Sequence, residues 1–257
     1  MGNQPIKLAY KEEGKGKLVV LLHGFCGSKD YWKEVMPYLT STCRVIAVDV
    51  RGHGETETTK VGFSIHDMAE DLYRFFLEHD LKDAYIFGHS MGGYITLDFV
   101  DHHPDLVKGY GLIHSTALPD SPEAKKNRVA GISKVEEQGV SYFIHDLIPK
   151  LLAKETRHNE QEMLKTLLDI GIETRPSGII GALMAMKKRE DKTKVLQKTN
   201  IPALLVAGAK DEVVSIEKVF TVMGDHITQT IIDQAGHMGI FETPKQVADA
   251  ILTFVKK

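Results

Sequence analysis

The chain has 257 residues, of which 42% are hydrophobic, and this composition is ordinary for a folded globular protein with a large buried core. Its formal net charge of −3 lacks the basic excess of a nucleic-acid-binding domain, so we expect no nucleic-acid partner. Two cysteines, Cys26 and Cys43, exclude a disulfide framework as the source of stability.

The amino terminus, MGNQPIKLAYKEEG, has no apolar segment of the kind found in signal peptides. No stretch of the sequence approaches the roughly 18 consecutive apolar residues that a transmembrane helix needs. We therefore predict a cytoplasmic protein without a membrane span. The sequence leaves its oligomeric state open.

Short apolar runs recur along the chain and predict strands that are buried on both faces of a sheet. These runs lie at residues 17–24, 43–50, 84–90, 107–115, 201–208 and 228–233. Helical patterns lie between most of them, the clearest at residues 64–81, 91–104 and 243–257. Ser64 and Asp67 have the spacing of a capping box at the start of the first of these helices. Alternating strands and helices predict an α/β fold with a mostly parallel, doubly wound sheet.

This alternation stops between residues 116 and 199, where no convincing strand is present. Prolines punctuate the stretch and separate several predicted helices. These helices span roughly 121–137, 140–153, 159–171 and 176–188. We expect a core formed by residues 1–115 and 200–257, interrupted by a helical cap subdomain at 116–199. Ligand sites in open α/β folds lie at the carboxyl edge of the sheet, which such an insertion is well placed to cover.

A short glycine-rich segment, Gly88-His89-Ser90-Met91-Gly92, matches the pattern G-x-S-x-G between a predicted strand and a predicted helix. Glycines two positions before and after the serine remove side chains that would clash in a sharp turn. Ser90 is then expected in an uncommon backbone conformation with its hydroxyl exposed, which makes it the candidate nucleophile. An ordinary strand-to-helix turn is the alternative.

A serine nucleophile needs a base, and the base needs an acid that fixes its orientation. His237 follows the last predicted strand and Asp211 follows the strand before it, so both should face the same sheet edge as Ser90. The chain order serine, acid, histidine is that of one fold class. We therefore predict Ser90, Asp211 and His237 as the catalytic residues. Glu212 and Asp120 are the alternative acids.

Acyl transfer also requires N–H donors for the oxyanion. The backbone N–H of Met91, the residue after the nucleophile, is one expected donor. Phe25 is the other, because it lies in the glycine-rich loop 23–27 that follows an early strand. A glycine-rich loop that binds no ligand is the alternative for that segment.

Five segments of the chain, in this order, resemble the α/β-hydrolase superfamily, and the likeness extends over the whole chain. They are HGFCG (23–27), DVRGHGET (49–56), GHSMGG (88–93), GAKDEVVS (208–215) and GHMGIFETP (236–244). The resemblance implies an α/β-hydrolase fold with a variable helical cap, a Ser-His-Asp triad and no required cofactor. It points to the esterase or lactonase branch. Serine at the nucleophile position argues against the relatives that open epoxides or remove halides, which look as if they need aspartate there.

Several other polar residues have both a structural and a functional interpretation. In proteins that look like this, Arg51, His53 and Glu55 of DVRGHGET mainly brace the loops beside the site. His89 and His114 lie at predicted strand ends near the cleft, where packing is the expected role and ligand contact is the alternative.

A cysteine and a pair of histidines also have side chains that can react or bind a metal. Cys26 lies in the expected oxyanion loop, where a buried inert thiol is expected and a reactive one is the alternative. His102 and His103 end a predicted helix without acidic or cysteine partners at metal-ligand spacing, so no metal site is expected.

We expect the protein to hydrolyse a small, largely apolar carboxylic ester, lactone or thioester through an acyl-enzyme. A ligand receptor or signalling partner with slow turnover is the alternative. A C–C bond hydrolase or a cofactor-free peroxidase would use the same triad, although Met238 stands where the former often carry tryptophan. Apolar residues of the cap are candidate walls for the substrate: Tyr142, Phe143, Leu147, Leu151, Met163, Leu183, Met184 and Met186.

Overall fold

The protein forms one seven-stranded sheet in a computed structural model that describes residues 6–58 and 62–257. The strands are β1 (Tyr10–Glu13), β2 (Lys17–Leu22), β3 (Cys43–Val48), β4 (Ala84–His89), β5 (Val107–Ile113), β6 (Ala203–Gly208) and β7 (Ile227–Ile232). Their order in the sheet is β1-β3-β2-β4-β5-β6-β7. Every neighbouring pair is parallel except β1 and β3, so the predicted mostly parallel sheet is confirmed.

Eleven α-helices lie in the described part of the chain. They are α1 (Met36–Leu39), α2 (Ile65–Glu78), α3 (Met91–His102), α4 (Pro122–Leu147), α5 (Lys154–Asn159), α6 (Gln161–Ile172), α7 (Pro176–Lys188), α8 (Thr193–Lys198), α9 (Ile216–Val219), α10 (Gly239–Glu242) and α11 (Pro244–Lys256). Short 3₁₀ helices cover Lys29–Trp32, Pro104–Leu106 and Ile148–Leu151. No helix in residues 6–58 and 62–257 is long and apolar enough to cross a bilayer.

The central strands are buried because their apolar side chains face helices on both sides of the sheet. Every residue of β4 and β6 is buried. The first strand is different, since all four residues of β1 are exposed, and it has no apolar run from which it could be predicted. Its Tyr-Lys-Glu-Glu sequence suits a polar edge that resists pairing with another chain.

The predicted helix starts agree with the structure more closely than the predicted helix ends do. Ser64 and Asp67 form the predicted capping box at the start of α2. The two helices predicted around residue 138 form α4, which is broken at Gly139 where φ is +84°. The helix predicted at 159–171 is α6, which begins two residues later, and the short α5 before it was not predicted.

The strand order reverses direction at β2, because β3 lies on one side of it and β4 on the other. Leu22, the last residue of β2, pairs with Gly88 near the end of β4. The loops that leave these two strands therefore diverge from one point at the carboxyl edge of the sheet. Open α/β folds bind their ligands in the crevice at such a point.

Helices α4 to α8, called here the inserted helices, lie in the chain between β5 and β6. Among them, α7 packs against α4 and against α2. Its Gly178 lies so close to the loop after β3 that an added Cβ would be 1.8 Å from the carbonyl oxygen of Gly52. Gly52 itself has a φ of +78°, a conformation that favours glycine. Two glycines thus allow backbone-to-backbone contact between the inserted helices and the core.

This contact predicts the effect of one added methyl group. Gly178→Ala should lower the free energy of unfolding by about 1–3 kcal/mol, because the new Cβ overlaps a backbone atom that is unable to rotate away. Urea denaturation measures the change. Lys188→Ala on the exposed end of the same helix is the control and should stay within about 0.5 kcal/mol of the wild type. Equal stabilities for all three proteins would contradict the contact.

Candidate active site

Ser90 occupies a tight turn between β4 and α3, with a φ of +51° and a ψ of −115°. The turn is tight because two glycines remove obstructing side chains. A Cβ on Gly88 would lie 2.2 Å from the carbonyl carbon of Gly92, and a Cβ on Gly92 would lie 2.4 Å from the carbonyl oxygen of Leu22. A non-glycine residue at positive φ stores strain, which persists only where the surrounding structure enforces it.

Neighbouring strands and loops hold the Ser90 backbone at both ends. Its N–H donates to the carbonyl oxygen of Ile113 over 3.0 Å. The hydroxyl of Ser115 donates to the Ser90 carbonyl over 2.7 Å. Gly93 makes room for that hydroxyl, since a Cβ there would lie 2.3 Å from Ser115 Oγ. The side chain of Ser90 is left as the part of the residue that is free to act.

His237 bridges Ser90 and Asp211, which the chain separates widely. Its Nε2 lies 2.9 Å from Ser90 Oγ, and its Nδ1 lies 2.9 Å from Asp211 Oδ2. The structure therefore brings the three predicted catalytic side chains into one hydrogen-bonded line. In this line Asp211 accepts from Nδ1–H, which leaves Nε2 unprotonated and facing the serine hydroxyl.

The carboxylate of Asp211 is held by more than His237. Its Oδ1 accepts from the backbone N–H groups of Val213 and Val214 over 2.8 and 2.9 Å. Burial by itself raises the pKa of Asp211, but His237, His114 and the Val214 N–H together act in the opposite direction and set this pKa below its usual value. Asp211 is therefore an anion near neutral pH, as a partner for imidazolium must be.

Neither alternative acid contacts His237. Glu212 is half exposed and pairs with Lys154 over 3.0 Å. Asp120 forms ion pairs with Arg128 and Arg189. Adjacent sequence positions therefore have different environments, because the turn after β6 directs Asp211 inward and Glu212 outward.

The backbone of His237 is also held on both sides, by groups that the sequence did not identify. His237 N–H donates to the carbonyl oxygen of Leu151, in the inserted helices, over 3.0 Å. His237 carbonyl oxygen accepts from His89 Nε2 over 2.8 Å. A backbone carbonyl has no side-chain signature, so no pattern could have pointed to Leu151 in this role.

Glu242 joins the same loop to the inserted helices. One carboxylate oxygen accepts from the Gly236 N–H and the other from the Ala153 N–H, each over 2.8 Å. Burial raises the pKa of Glu242, and the two N–H donors act in the opposite direction. A lone acid in the otherwise apolar segment after His237 was the available signal for this residue.

The two predicted oxyanion donors, the N–H groups of Met91 and Phe25, belong to segments that lie close to the serine. Met91 is the first residue of α3, so its N–H has no carbonyl acceptor within the helix. Phe25 lies in a turn closed by the bond from Gly27 N–H to the Gly24 carbonyl, and Phe25 N–H is not used by that bond. The turn comes close to the nucleophile, since a Cβ on Gly24 would lie 3.3 Å from Ser90 Cβ.

The segment DVRGHGET packs beneath these loops. Arg51 donates two hydrogen bonds, of 2.6 and 2.7 Å, to the buried carboxylate of Asp71 in α2. His53 Nδ1 lies 3.0 Å from the Arg51 carbonyl oxygen. Glu55 is exposed and pairs with Lys29 over 3.3 Å. These contacts are those of a bracing segment, and none reaches Ser90 or His237.

Two buried groups next to the site have no charge at neutral pH. Burial lowers the pKa of His114 to about 4, and His114 Nδ1 lies 3.8 Å from Asp211 Oδ2. Neither ring nitrogen of His114 has a hydrogen-bond partner among the described residues. Cys26 is fully buried, and burial raises its pKa well above the usual value, which is the behaviour of an inert thiol.

One expectation about histidine is wrong. His102 does have an acidic partner at close spacing, since its Nδ1 lies 3.2 Å from Asp98 Oδ1, four residues earlier on α3. His66 from α2 approaches the same oxygen, with a distance of 2.8 Å. The helical repeat places Asp98 one turn before His102, on the same face of α3, and this spacing was the available signal for the pair.

The depressed pKa of His114 predicts how stability depends on pH. The unfolded chain protonates this residue near pH 6.5, whereas the folded protein keeps it neutral down to about pH 4. The unfolded state thus binds more protons in this window, and stability falls as the pH drops from 6.5 to 4. His114→Gln should remove up to about 1.4 kcal/mol per pH unit from that slope.

Urea denaturation at a series of pH values measures the slope separately from any constant loss of stability. His145→Gln, at an exposed position on α4, is the control and should keep the wild-type slope. An unchanged slope in His114→Gln would contradict the buried neutral state of this imidazole.

Comparisons with known proteins agree with this architecture. Residues 17–244 match a family model described as the alpha/beta hydrolase fold. An esterase from Thermogutta terrifontis, solved with malate bound, superposes with a TM-score of 0.92. It shares 30% sequence identity, over 98% of this chain and 93% of that chain.

The names of two curated relatives describe activities that differ from each other. A dihydrolipoyllysine-residue acetyltransferase component of an acetoin cleaving system, from Pseudomonas putida, is 29% identical over 94% of this chain. The chain spans 64% of the length of that relative. The 2-hydroxy-6-oxo-6-(2'-aminophenyl)hexa-2,4-dienoic acid hydrolase of Metapseudomonas resinovorans is 25% identical, over 98% of this chain and 88% of its own length.

Proposed function

The chain belongs to the alpha/beta hydrolase fold family and is a hydrolase, and we propose that it cleaves small, largely apolar carboxylic esters, lactones or thioesters through an acyl-enzyme on Ser90. The observation that carries this proposal is the line of two 2.9 Å contacts from Asp211 through His237 to the Ser90 hydroxyl. A hydroxyl that shares a hydrogen bond with an unprotonated imidazole nitrogen is an activated nucleophile.

In the proposed first step, His237 Nε2 takes the proton of Ser90 Oγ while that oxygen attacks the acyl carbon. A tetrahedral intermediate forms, and its oxyanion accepts hydrogen bonds from the Phe25 and Met91 N–H groups. The imidazolium then donates its proton to the leaving oxygen or sulfur, and the acyl group stays on Ser90. Removing one oxyanion donor typically costs on the order of 10²–10³ in turnover.

In the second step, His237 takes a proton from water, which attacks the acyl-enzyme. The same two N–H groups bind the second oxyanion, and the imidazolium returns the proton to Ser90 Oγ as the acid leaves. Asp211 stabilises the imidazolium in both steps and keeps Nδ1 protonated. The chain supplies the nucleophile, the base and the oxyanion donors of both steps, and water is the second nucleophile.

We place the substrate between the core and the inserted helices, which act as a cap over residues of the triad. Leu151 of this cap accepts a hydrogen bond from the backbone of His237, and the Ala153 N–H donates to the Glu242 carboxylate that also holds this loop. The ring of Phe143 packs against Phe25, with centroids 6.0 Å apart, so an aromatic wall adjoins the proposed oxyanion donor. An apolar acyl group gains most from such a wall, which supports the substrate class.

A second candidate, C–C bond hydrolysis, has one supporting observation, the 25% identity to the dienoic acid hydrolase described above. Met238 does not favour it, because a buried thioether replaces the tryptophan expected in such enzymes. No relative described above is a receptor, and the proposed two-step chemistry needs repeated turnover that a receptor would not show.

Replacing the nucleophile tests the proposal directly. Wild type should turn over p-nitrophenyl esters repeatedly, and Ser90→Ala should lose roughly 10⁶ in turnover because it removes the hydroxyl that contacts His237 Nε2. Steady-state release of p-nitrophenol across a panel of acyl lengths measures both the loss and the preferred chain. Ser141→Ala, at an exposed position on α4, is the control and should retain full activity.

Either of two results would contradict the proposal: activity that survives in Ser90→Ala, or a single stoichiometric burst without further turnover in the wild type. The second result would favour the receptor alternative.

Variants of the neighbouring residues Asp211 and Glu212 test the role of Asp211. Asp211→Asn should lower turnover by about 10⁴, because the amide favours the wrong tautomer of His237 and leaves the imidazolium without its anion. Glu212→Gln is the matched control, since Glu212 faces Lys154 and should have little effect on turnover. Initial rates on the best ester of the panel measure both variants. A larger loss in Glu212→Gln than in Asp211→Asn would reverse the assignment.

A further inference from the structure

A cluster of two histidines and one aspartate lies outside the candidate active site, where α2 and α3 run side by side. His66 is in the first turn of α2, and Asp98 and His102 are one helical turn apart near the end of α3. Their ligand atoms all lie within 4.8 Å of one another. The proposed hydrolysis makes no use of these three side chains.

The distances within the cluster are close to those around a bound transition metal. Asp98 Oδ1 lies 2.8 Å from His66 Nδ1 and 3.2 Å from His102 Nδ1. Zinc bound at about 2.0–2.2 Å by nitrogen and oxygen separates tetrahedral donor atoms by about 3.3–3.5 Å. Movements of less than about 1 Å by these two exposed imidazoles are therefore enough to open the cluster around an ion.

Each imidazole of the cluster has a second nitrogen that can carry its proton when a metal binds the first. At present His66 Nδ1–H donates to Asp98 Oδ1, and His102 Nδ1–H donates to the Asp98 backbone carbonyl over 2.8 Å. Each ring binds a metal through Nδ1 once its proton moves to Nε2, a change of tautomer that keeps the imidazole neutral. The rings are about half exposed, so Nε2–H is able to donate to water.

The surrounding charge also suits a divalent cation. The nearly buried carboxylate of Asp98 uses its other oxygen to accept from Lys192 Nζ over 3.0 Å. Asp101 binds the same ammonium group over 2.6 Å. These two carboxylates and one ammonium sum to a charge of −1, and Lys188, Arg189 and Glu190 also line the adjoining cavity. Lys192 therefore positions the aspartate, much as outer hydrogen bonds position metal ligands in other proteins.

A cavity of about 420 Å³ opens directly onto this cluster. It is lined by all three residues of the cluster and by Asp101 and Lys192, and it includes none of the proposed triad. The cavity leaves a metal ion held by three protein ligands with space for one more. Water or a small ligand would occupy that fourth position, as in zinc sites that stay open.

We infer that His66, Asp98 and His102 form a binding site for a divalent transition metal of the zinc type, with its open position facing the cavity. Two imidazoles and one carboxylate are the ligands that zinc, nickel and copper prefer, whereas magnesium and calcium require oxygen. Such an ion joins α2 to α3 and, through Asp98 and Lys192, joins both to the segment between α7 and α8. It stabilises the folded protein only, because the ligands come from separate parts of the chain.

Zinc binding to the full chain tests this inference. The protein is untagged, stripped with a chelator and titrated with ZnCl₂ by calorimetry, and thermal unfolding is recorded in parallel. We expect one ion per chain and a Tm that rises by about 5–10 °C at 100 times Kd. His66→Gln and His102→Gln should each lower the affinity at least about tenfold and remove most of the Tm shift. Magnesium should produce neither effect.

The control variants are His145→Gln and His158→Gln, whose exposed imidazoles lie elsewhere on the inserted helices, and both should bind zinc as the wild type does. Absence of stoichiometric binding would overturn the inference. Binding that persists undiminished in both His66→Gln and His102→Gln would also overturn it, since the ion would then lie at other histidines, His237 included. The readouts are binding and unfolding, so failure of the proposed hydrolysis would leave this test unaffected.

Discussion

The close contact between Gly92 and the Leu22 carbonyl oxygen is the constraint on which the rest of the site depends. It brings the start of α3 against the end of β2 at the one place where the strand order reverses. Because these backbones touch, the loop after β2 lies beside Ser90. A single methyl group at position 92 would separate them. The fold therefore creates the site through main-chain proximity, and the side chains add the chemistry.

Buried histidines surround the triad without adding charge to it. Burial lowers the pKa of His23, His53, His89 and His114, so all four are neutral near pH 7. They fill space, and His89 also donates a hydrogen bond to the His237 carbonyl. A cation at any of these places would disfavour the imidazolium that the proposed mechanism forms on His237. In the proposed mechanism, the charged group that contacts His237 is therefore the carboxylate of Asp211.

The sequence predicted those parts of the molecule that leave a periodic or a fixed-spacing signal. Six of the seven strands, the capping box of α2 and the close approach of Ser90, Asp211 and His237 all fall in this class. Strand β1 escaped because a polar edge strand has no apolar period. The hydrogen bond from His237 to Leu151 was not predicted because every residue type has the same backbone carbonyl oxygen. The cluster at His66, Asp98 and His102 was not predicted because His66 comes from a different helix.

The hydrogen bond from His237 N–H to the Leu151 carbonyl limits which changes of the inserted segment keep His237 in place. The main chain of the inserted helices is a structural part of the loop that carries the base, so the insertion is not a detachable module. Grafting the corresponding helices from a relative would transplant pocket side chains successfully only if the graft presents a carbonyl oxygen at this point. The bond depends on the main chain at position 151 and not on its side chain, so a deletion beside it would misplace His237. Substrate range is then free to evolve by exchange of side chains on a backbone whose path is fixed.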